Sequence, residues 1–169
     1  SASFAIFAEK VIVEINTNLS PAFEGLHDIY IPSYRPTRQP IPLTEVDERI
    51  GTQAINIDPS KIVGIVINSE FHDSPSTVTE PDDETQGIAN HLIAFFEKEV
   101  AEDRLPKNLG PLQAGIGSIA NAVLTGLKDS NFEDLIMYSE VLQDCTFELI
   151  DAGKMKFASG SSITLSAKY

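Results

Sequence analysis

Residues 109–153 constrain the fold of this chain more than any other stretch. They read LGPLQAGIGSIANAVLTGLKDSNFEDLIMYSEVLQDCTFELIDAG. A short apolar run, Leu109 to Ala114, leads into a glycine loop (Gly115, Gly117). A helical pattern over Ser118 to Leu127 follows, with Ile119, Val123 and Leu127 on one face. A second strand pattern covers Leu135 to Val141, and a second helix, Asp144 to Ala152, has Gly153 placed as its stop. Alternation of strands and helices predicts an α/β fold with a mainly parallel sheet, because parallel neighbours need a long crossover between them. Right-handed crossovers bring the loops that leave each strand to one edge, where open α/β sheets bind ligands. Glu140 falls where the second strand gives out.

The rest of the chain extends this pattern. Residues 11–16 (VIVEIN) and 61–68 (KIVGIVIN) read as buried strands, with Asp58-Pro59-Ser60 as a turn between them. Residues 17–46 carry five prolines and little periodicity, and read as loop. Ala54 to Ile57 is a candidate short strand. A polar stretch from Phe71 to Glu84 reads as a linker, with Pro75, Pro81 and a run of acids. A helix follows it, with Ile88, Leu92, Phe96 and Val100 every four residues and Ile93 widening the stripe. Asp83 or Thr85 is the candidate cap. Met155 to Ala158 and Ile163 to Ser166 read as closing strands. The predicted organisation is two α/β parts, residues 1–79 and 80–169. Strand-like runs near both ends suggest an internal segment of a longer protein.

Composition excludes several classes. The net charge is −13, with 12 basic and 25 acidic residues. Nucleic acid and anionic membrane surfaces both need a Lys/Arg footprint, so neither is an expected partner. No apolar run approaches the roughly 18 residues of a membrane span. Residues 1–8 are apolar but lack the basic segment of a secretory signal. Cys145 is the one cysteine, which rules out an internal disulfide, fits a reducing compartment and reads as a structural thiol. His27, His72 and His91 are scattered, so no metal-ligand spacing is present and no metal is expected.

Two features carry candidate chemistry. Gly115-Ile116-Gly117-Ser118-Ile119-Ala120 matches GxGxxA between a strand and a helix. Such a loop lets backbone approach an anion that the helix N-terminus then favours. It is equally a tight turn with Ser118 as N-cap. A dinucleotide reading also asks for an acid about 20 residues further on, which Glu133 and Asp134 supply. Glu140, the second feature, is a candidate nucleophile or general base, or a charge at a helix start. Asp144 reads as a cap of that helix. Ser118, Ser139 and Cys145 are further candidate nucleophiles, with no histidine near them in sequence.

These residues resemble a known family. The runs PLQAGIGSIANAVLTGL (111–127) and MYSEVLQD (137–144) are similar to the acetyl-CoA hydrolase / acetate CoA-transferase family, especially its fungal-type members. So are AEKVIVEIN (8–16), FEGLHDI (23–29), VDERIG (46–51), IDPSKIVGIV (57–66) and HLIAFFEKEVAEDRLPKNL (91–109). The resemblance covers the chain from Ala8 onward and leaves out residues 1–7.

The resemblance implies open parallel sheets with flanking helices, as parts of two CoA-transferase-type domains. It implies that Glu140 is the nucleophilic glutamate of a T-E-V-x-Q-D motif, here with Ser139 in place of Thr. It further implies that Gly115, Ile116, Gly117, Ser118 and Ile119 form the loop that contacts coenzyme A. The implied substrates are short acyl-CoAs (acetyl-CoA, succinyl-CoA), with acetate or another small carboxylate as partner. The implied reaction moves CoA through a glutamyl-CoA thioester, or hydrolyses acetyl-CoA when water intervenes. Family members are longer and carry a further glycine-rich segment that stabilises the oxyanion. The 169 residues alone are therefore expected to be inactive or nearly so. An intracellular location, mitochondrial or cytoplasmic, is expected, and homo-oligomerisation stays open. Two other readings remain: a nucleotide-binding α/β module using GIGSIA without covalent catalysis, and a non-catalytic scaffold.

Overall fold

The computed structural model describes residues 2–34, 36–70, 72, 74–77 and 81–169. The chain divides into two compact units, Ser1–Asp73 and Ser74–Tyr169. Both have parallel pairing, and the class is α/β. Parts of the expected linker (Phe71, Asp73 and 78–80) lie outside the described residues. Its last residues, Asp83 and Glu84, belong to a helix.

In the first unit, a short helix α1 (Ala2–Phe7) precedes β1 (Val11–Asn16), which pairs in parallel with β2 (Ile62–Asn68). Both strands form where their β-branched runs predict them. They are not buried, however: Ile12, Ile15, Val63, Ile65 and Ile67 are all exposed. Continuous apolar runs of this kind suit parallel strands covered on both faces, yet in this unit these side chains stay exposed.

The long connection between the strands is irregular, as its prolines predict. Two 3-10 turns punctuate it, Pro21–Phe23 capped by Ser20 and Pro59–Lys61 capped by Asp58. Asp58 accepts from Ser60 N–H at 2.9 Å. Midway, two of its segments clamp each other. Asp28 accepts from the backbone N–H of Gly51 (2.6 Å) and of Ile50 (3.3 Å). Arg49 donates to the carbonyls of Gly25 (3.0 Å) and His27 (2.7 Å). Ile29 and Thr52 exchange both backbone hydrogen bonds. The strand expected at 54–57 does not form. Thr52 turns the chain by donating its hydroxyl to Ala54 O, and the Asp58 cap begins directly after.

The second unit runs α2 (Asp83–Ala101), β3 (Pro111–Leu112), α3 (Ser118–Asp129), β4 (Leu135–Leu142), α4 (Asp144–Asp151) and β5 (Met155–Ile163). The three strands form one parallel sheet in the order β3-β4-β5. Successive right-handed crossovers between neighbouring strands place α3 and α4 on the same face. Their Leu124, Leu127, Cys145 and Leu149 pack there with Leu135, Met137 and Met155 of the sheet. Ile93, Phe96 and Val100 of α2 pack against the same core.

In α2 and β5, three details depart from the sequence reading, and β3, read over 109–114, is only Pro111–Leu112. The cap of α2 is Asp82, which accepts from Thr85 N–H at 2.8 Å, rather than Asp83 or Thr85. The inner stripe of α2 is Thr85, Ala89, Ile93, Phe96 and Val100, while Ile88 and Leu92 are exposed. A strict four-residue spacing advances about 40° per step on a helix of 3.6 residues per turn, so it winds off one face. Finally, β5 is one strand of nine residues instead of two short ones. The Ser159–Ser162 stretch (SGSS), a poor strand former, stays paired because β4 supplies a continuous ladder beside it. A Cβ at Gly160 would meet Leu142 Cγ at 2.7 Å, so the missing side chain lets Leu142 pack there. Thr164 to Ser166 leave the strand. Thr164 N–H donates to Leu142 O (2.9 Å), and Ser166 turns back toward α4.

Candidate functional site

The sheet of the second unit ends at an edge formed by three exits: the loop after β3, the end of β4 and the end of β5. Extending the register of Leu112 with Met137 sets Ala114 level with Ser139 and Gly115 level with Glu140. A side chain maintains that alignment after the backbone ladder stops. The Ser139 hydroxyl donates to Ala114 O at 3.0 Å, and Ala114 N–H donates to Ser139 Oγ at 3.4 Å. On the other flank, the Ser161 hydroxyl of β5 donates to the main-chain carbonyl of Glu140 at 2.8 Å. The backbone around Glu140 is thus held from both sides.

Glu140 itself is exposed. Alternation along β4 sets it with Ile136 and Tyr138, on the face opposite Leu135 and Met137, which pack under the helices. Among the described residues, no hydrogen bond or ion pair occupies its carboxylate. A carboxylate held only through its backbone is free to meet a substrate.

The glycine loop is exposed from Gly115 to Ile119, with Ile116 at 73% and Ile119 at 48%. Gly117 has φ 148°, a conformation that a side chain would strain. It also occupies the cap position of α3, where no side chain supplies a capping bond. Ser118, the expected cap, is instead the first helical residue. The opening N–H groups of α3 therefore lack a side-chain acceptor, the arrangement that favours an anion.

Other candidates are placed differently from their sequence reading. Glu133 and Asp134, the acids wanted by a dinucleotide site, precede β4 and lie at the opposite end of the strand from the glycine loop. Glu133 pairs with Lys154 at 3.7 Å. The acid at the loop's own edge is Glu140. Asp144 does not cap α4; Gln143 holds that position without a side-chain bond. Asp144 is buried and accepts from the backbone N–H and the hydroxyl of Ser166, tying down the chain after β5. Ser161, Ser166 and the Ala114 backbone were not singled out by sequence, since serine-rich strand ends carry no periodic signal.

Nucleophile–histidine pairs are not assembled among the described residues. His91 lies on α2 with Nδ1 2.7 Å from Gly87 O, while Ser139 is engaged by Ala114 and Cys145 Sγ donates to Asn121 Oδ1 at 3.5 Å. Cys145 is buried, and burial pushes its thiol up to about 11. At neutral pH its thiolate fraction is on the order of one in ten thousand. Iodoacetamide labelling at pH 7.5 is therefore expected to be at least about 100-fold slower for the native chain than for the denatured one. Equal rates, read by mass spectrometry, would contradict a structural thiol.

Among the described residues, no group of three or more His, Cys, Asp or Glu could hold a metal ion, and no helix is long and apolar enough to cross a membrane. A shallow groove on α2 is lined by Glu84, Gly87, Ile88, His91 and Leu92, with no residue from β4 or the glycine loop.

Known proteins with similar sequences agree with one another. Residues 1–67 match the acetyl-CoA hydrolase/transferase N-terminal domain, a match that includes residues 1–7. Acetyl-CoA hydrolase of Candida albicans is 48% identical over 158 residues, covering 94% of this chain and 30% of that protein. Acetyl-CoA hydrolase of Saccharomyces cerevisiae is 44% identical over 168 residues, covering 99% and 32%. The chain thus spans about a third of the length of these curated relatives, which are enzymes by name. Among solved structures, RipA from Yersinia pestis superposes with a TM-score of 0.54 at 22% identity, covering 99% of this chain and 35% of that one, a likeness of fold. The chain belongs to the acetyl-CoA hydrolase/transferase family.

Proposed function

We propose that this chain supplies the nucleophile and part of the coenzyme A site of an enzyme that hydrolyses acetyl-CoA or transfers its CoA to a small carboxylate. One observation carries the reading: an exposed carboxylate, without a partner among the described residues, stands near the end of the central strand and level with a glycine loop leaving the neighbouring strand. In this reading Gly115, Ile116, Gly117, Ser118 and Ile119 contact coenzyme A. The uncapped start of α3 suits an anionic part of the ligand, and exposed Ile116 and Ile119 suit its apolar arm.

Glu140 attacks the acetyl carbonyl, forming a mixed anhydride as the C–S bond breaks and CoA thiolate leaves. The thiolate then attacks the glutamyl carbonyl, releasing acetate and leaving a glutamyl-CoA thioester. A second carboxylate, acetate or succinate, takes the CoA in a transferase. Water attack frees glutamate and CoA, giving net hydrolysis. Binding energy from the distant nucleotide assists the reacting centre.

The division of the chain into parts of two domains is supported by the family match ending at residue 67 and by the separation of compact units at 73/74. Because relatives are about three times longer, the 169 residues alone are expected to show little or no turnover. An oxyanion donor supplied from elsewhere is worth roughly 10²–10³ in rate. The same family reading favours a mitochondrial or cytoplasmic enzyme.

The test is to incubate the full-length protein with acetyl-CoA, add borohydride and map peptides by mass spectrometry. A reduced glutamate at Glu140 that depends on acyl-CoA is the expected result. Unmodified Glu140 during measurable turnover would exclude covalent catalysis at this residue.

A further inference from the structure

We propose that Ser139 is the positioning residue of this site: its hydroxyl sets the glycine loop against the Glu140 carboxylate. The proposal rests on the reading of Glu140 as nucleophile and adds what aligns it. Backbone pairing between β3 and β4 is confined to Pro111–Leu112 with Ile136–Met137. Two residues further on, the chain is leaving the sheet toward α3. There the Ser139 hydroxyl takes both backbone groups of Ala114, accepting from its N–H (3.4 Å) and donating to its C=O (3.0 Å).

A side chain has replaced the ladder partner at this point, with two consequences. The two strand ends stay in register for two more residues, so the root of the loop and the base of Glu140 move together. They also stand apart by the reach of a serine side chain instead of a direct backbone bond. A crevice between strand ends is where a ligand of an open parallel sheet enters. Ser139 is half-buried and its hydroxyl is committed to Ala114, so it is not the reacting group. Its neighbour Ser161 holds the Glu140 carbonyl from β5 and cannot replace this link, because it contacts the other strand.

Hydroxyl chemistry, not bulk, is what the role requires, and threonine and valine separate the two. In the full-length protein, the rate of Glu140 adduct formation is measured in a single turnover at saturating acetyl-CoA, for wild type, Ser139→Val and Ser139→Thr. That rate constant does not depend on the fraction of folded enzyme. Valine is expected to slow it about 100-fold, since about 1 Å of misplacement can cost that much. KM should move less than about threefold, because contacts to the rest of the ligand persist. Threonine should recover most of the rate.

Equal rates for valine and threonine would overturn the proposal. Should the valine variant not fold, hydrogen exchange of the Ala114 amide in the wild type decides instead. Protection is expected, and free exchange of that amide would overturn the clasp. A wild type that turns over without a Glu140 adduct defeats the underlying reading, an outcome visible before any variant is made.

Discussion

Glu140→Gln is expected to lower acyl-CoA turnover of the full-length protein at least about 10³-fold, with almost no change in stability. An amide keeps the size of the side chain but removes the anionic oxygen that attacks the thioester, and loss of a covalent nucleophile costs this much or more. The site explains why stability is spared. Glu140 is exposed, no partner among the described residues holds its carboxylate, and its position is fixed through its carbonyl by Ser161, a bond any residue can accept. Surface substitutions of that kind stay within about 0.5 kcal/mol. Steady-state kinetics with urea melts of both proteins check the two halves. A loss of activity matched by a loss of folding would make Glu140 structural. Retained turnover would exclude Glu140 as the nucleophile and assign the chemistry to another group.

The second large effect belongs to the first unit. Gly51→Ala is expected to destabilise it by about 3 kcal/mol, the upper part of the range for overpacking. A Cβ there would sit 2.3 Å from Ile29 C and 2.4 Å from Ile29 O. Backbone atoms cannot rotate away as a side chain can, so the two segments must separate. Separation breaks the Ile29–Thr52 bridge and the bonds from Asp28 to Ile50 and Gly51. Hydrogen exchange should report it locally, with the Ile29 and Thr52 amides losing protection before those of β4 and β5. Unchanged protection at these two amides would show that the connection adapts. This clamp also gives a physical content to two of the sequence segments, residues 23–29 and 46–51, whose distance in the chain hid their contact.

What could be read in advance follows the range of the interaction. Elements set by local pattern were legible: the β-branched runs of β1 and β2, the extents of α3 and α4, and Gly153, which ends α4 with φ 70°. The inner face of α3 was not: Ile119, read as part of it, is exposed, and Ala122, Leu124 and Leu127 are the buried residues. Elements set by a partner strand were not. The Ser159–Ser162 run reads as a break, yet it holds its place against β4. Caps also eluded the pattern, since Asp82, Asp83 and Glu84 are chemically alike and only the turn geometry selects Asp82. At the site, the glycine loop and Glu140 stand out by type and spacing. Their alignment through Ser139 and Ser161 depends on register, which a sequence does not print.

The β3-α3-β4-α4-β5 order has a kinetic consequence. Each strand of the second unit pairs with its sequence neighbour across a single helix, so every closure is short. In the first unit, Asn16 must find its place beside Asn68 across a long connection whose described residues form two 3-10 turns. Loop closure costs more with length, by about 0.6 kcal/mol per doubling, and long-range pairing slows folding further. The later half of the chain is therefore expected to reach its native arrangement ahead of the earlier half. The order of synthesis and the order of folding run in opposite directions here, and β1 must wait as an exposed apolar strand until β2 arrives.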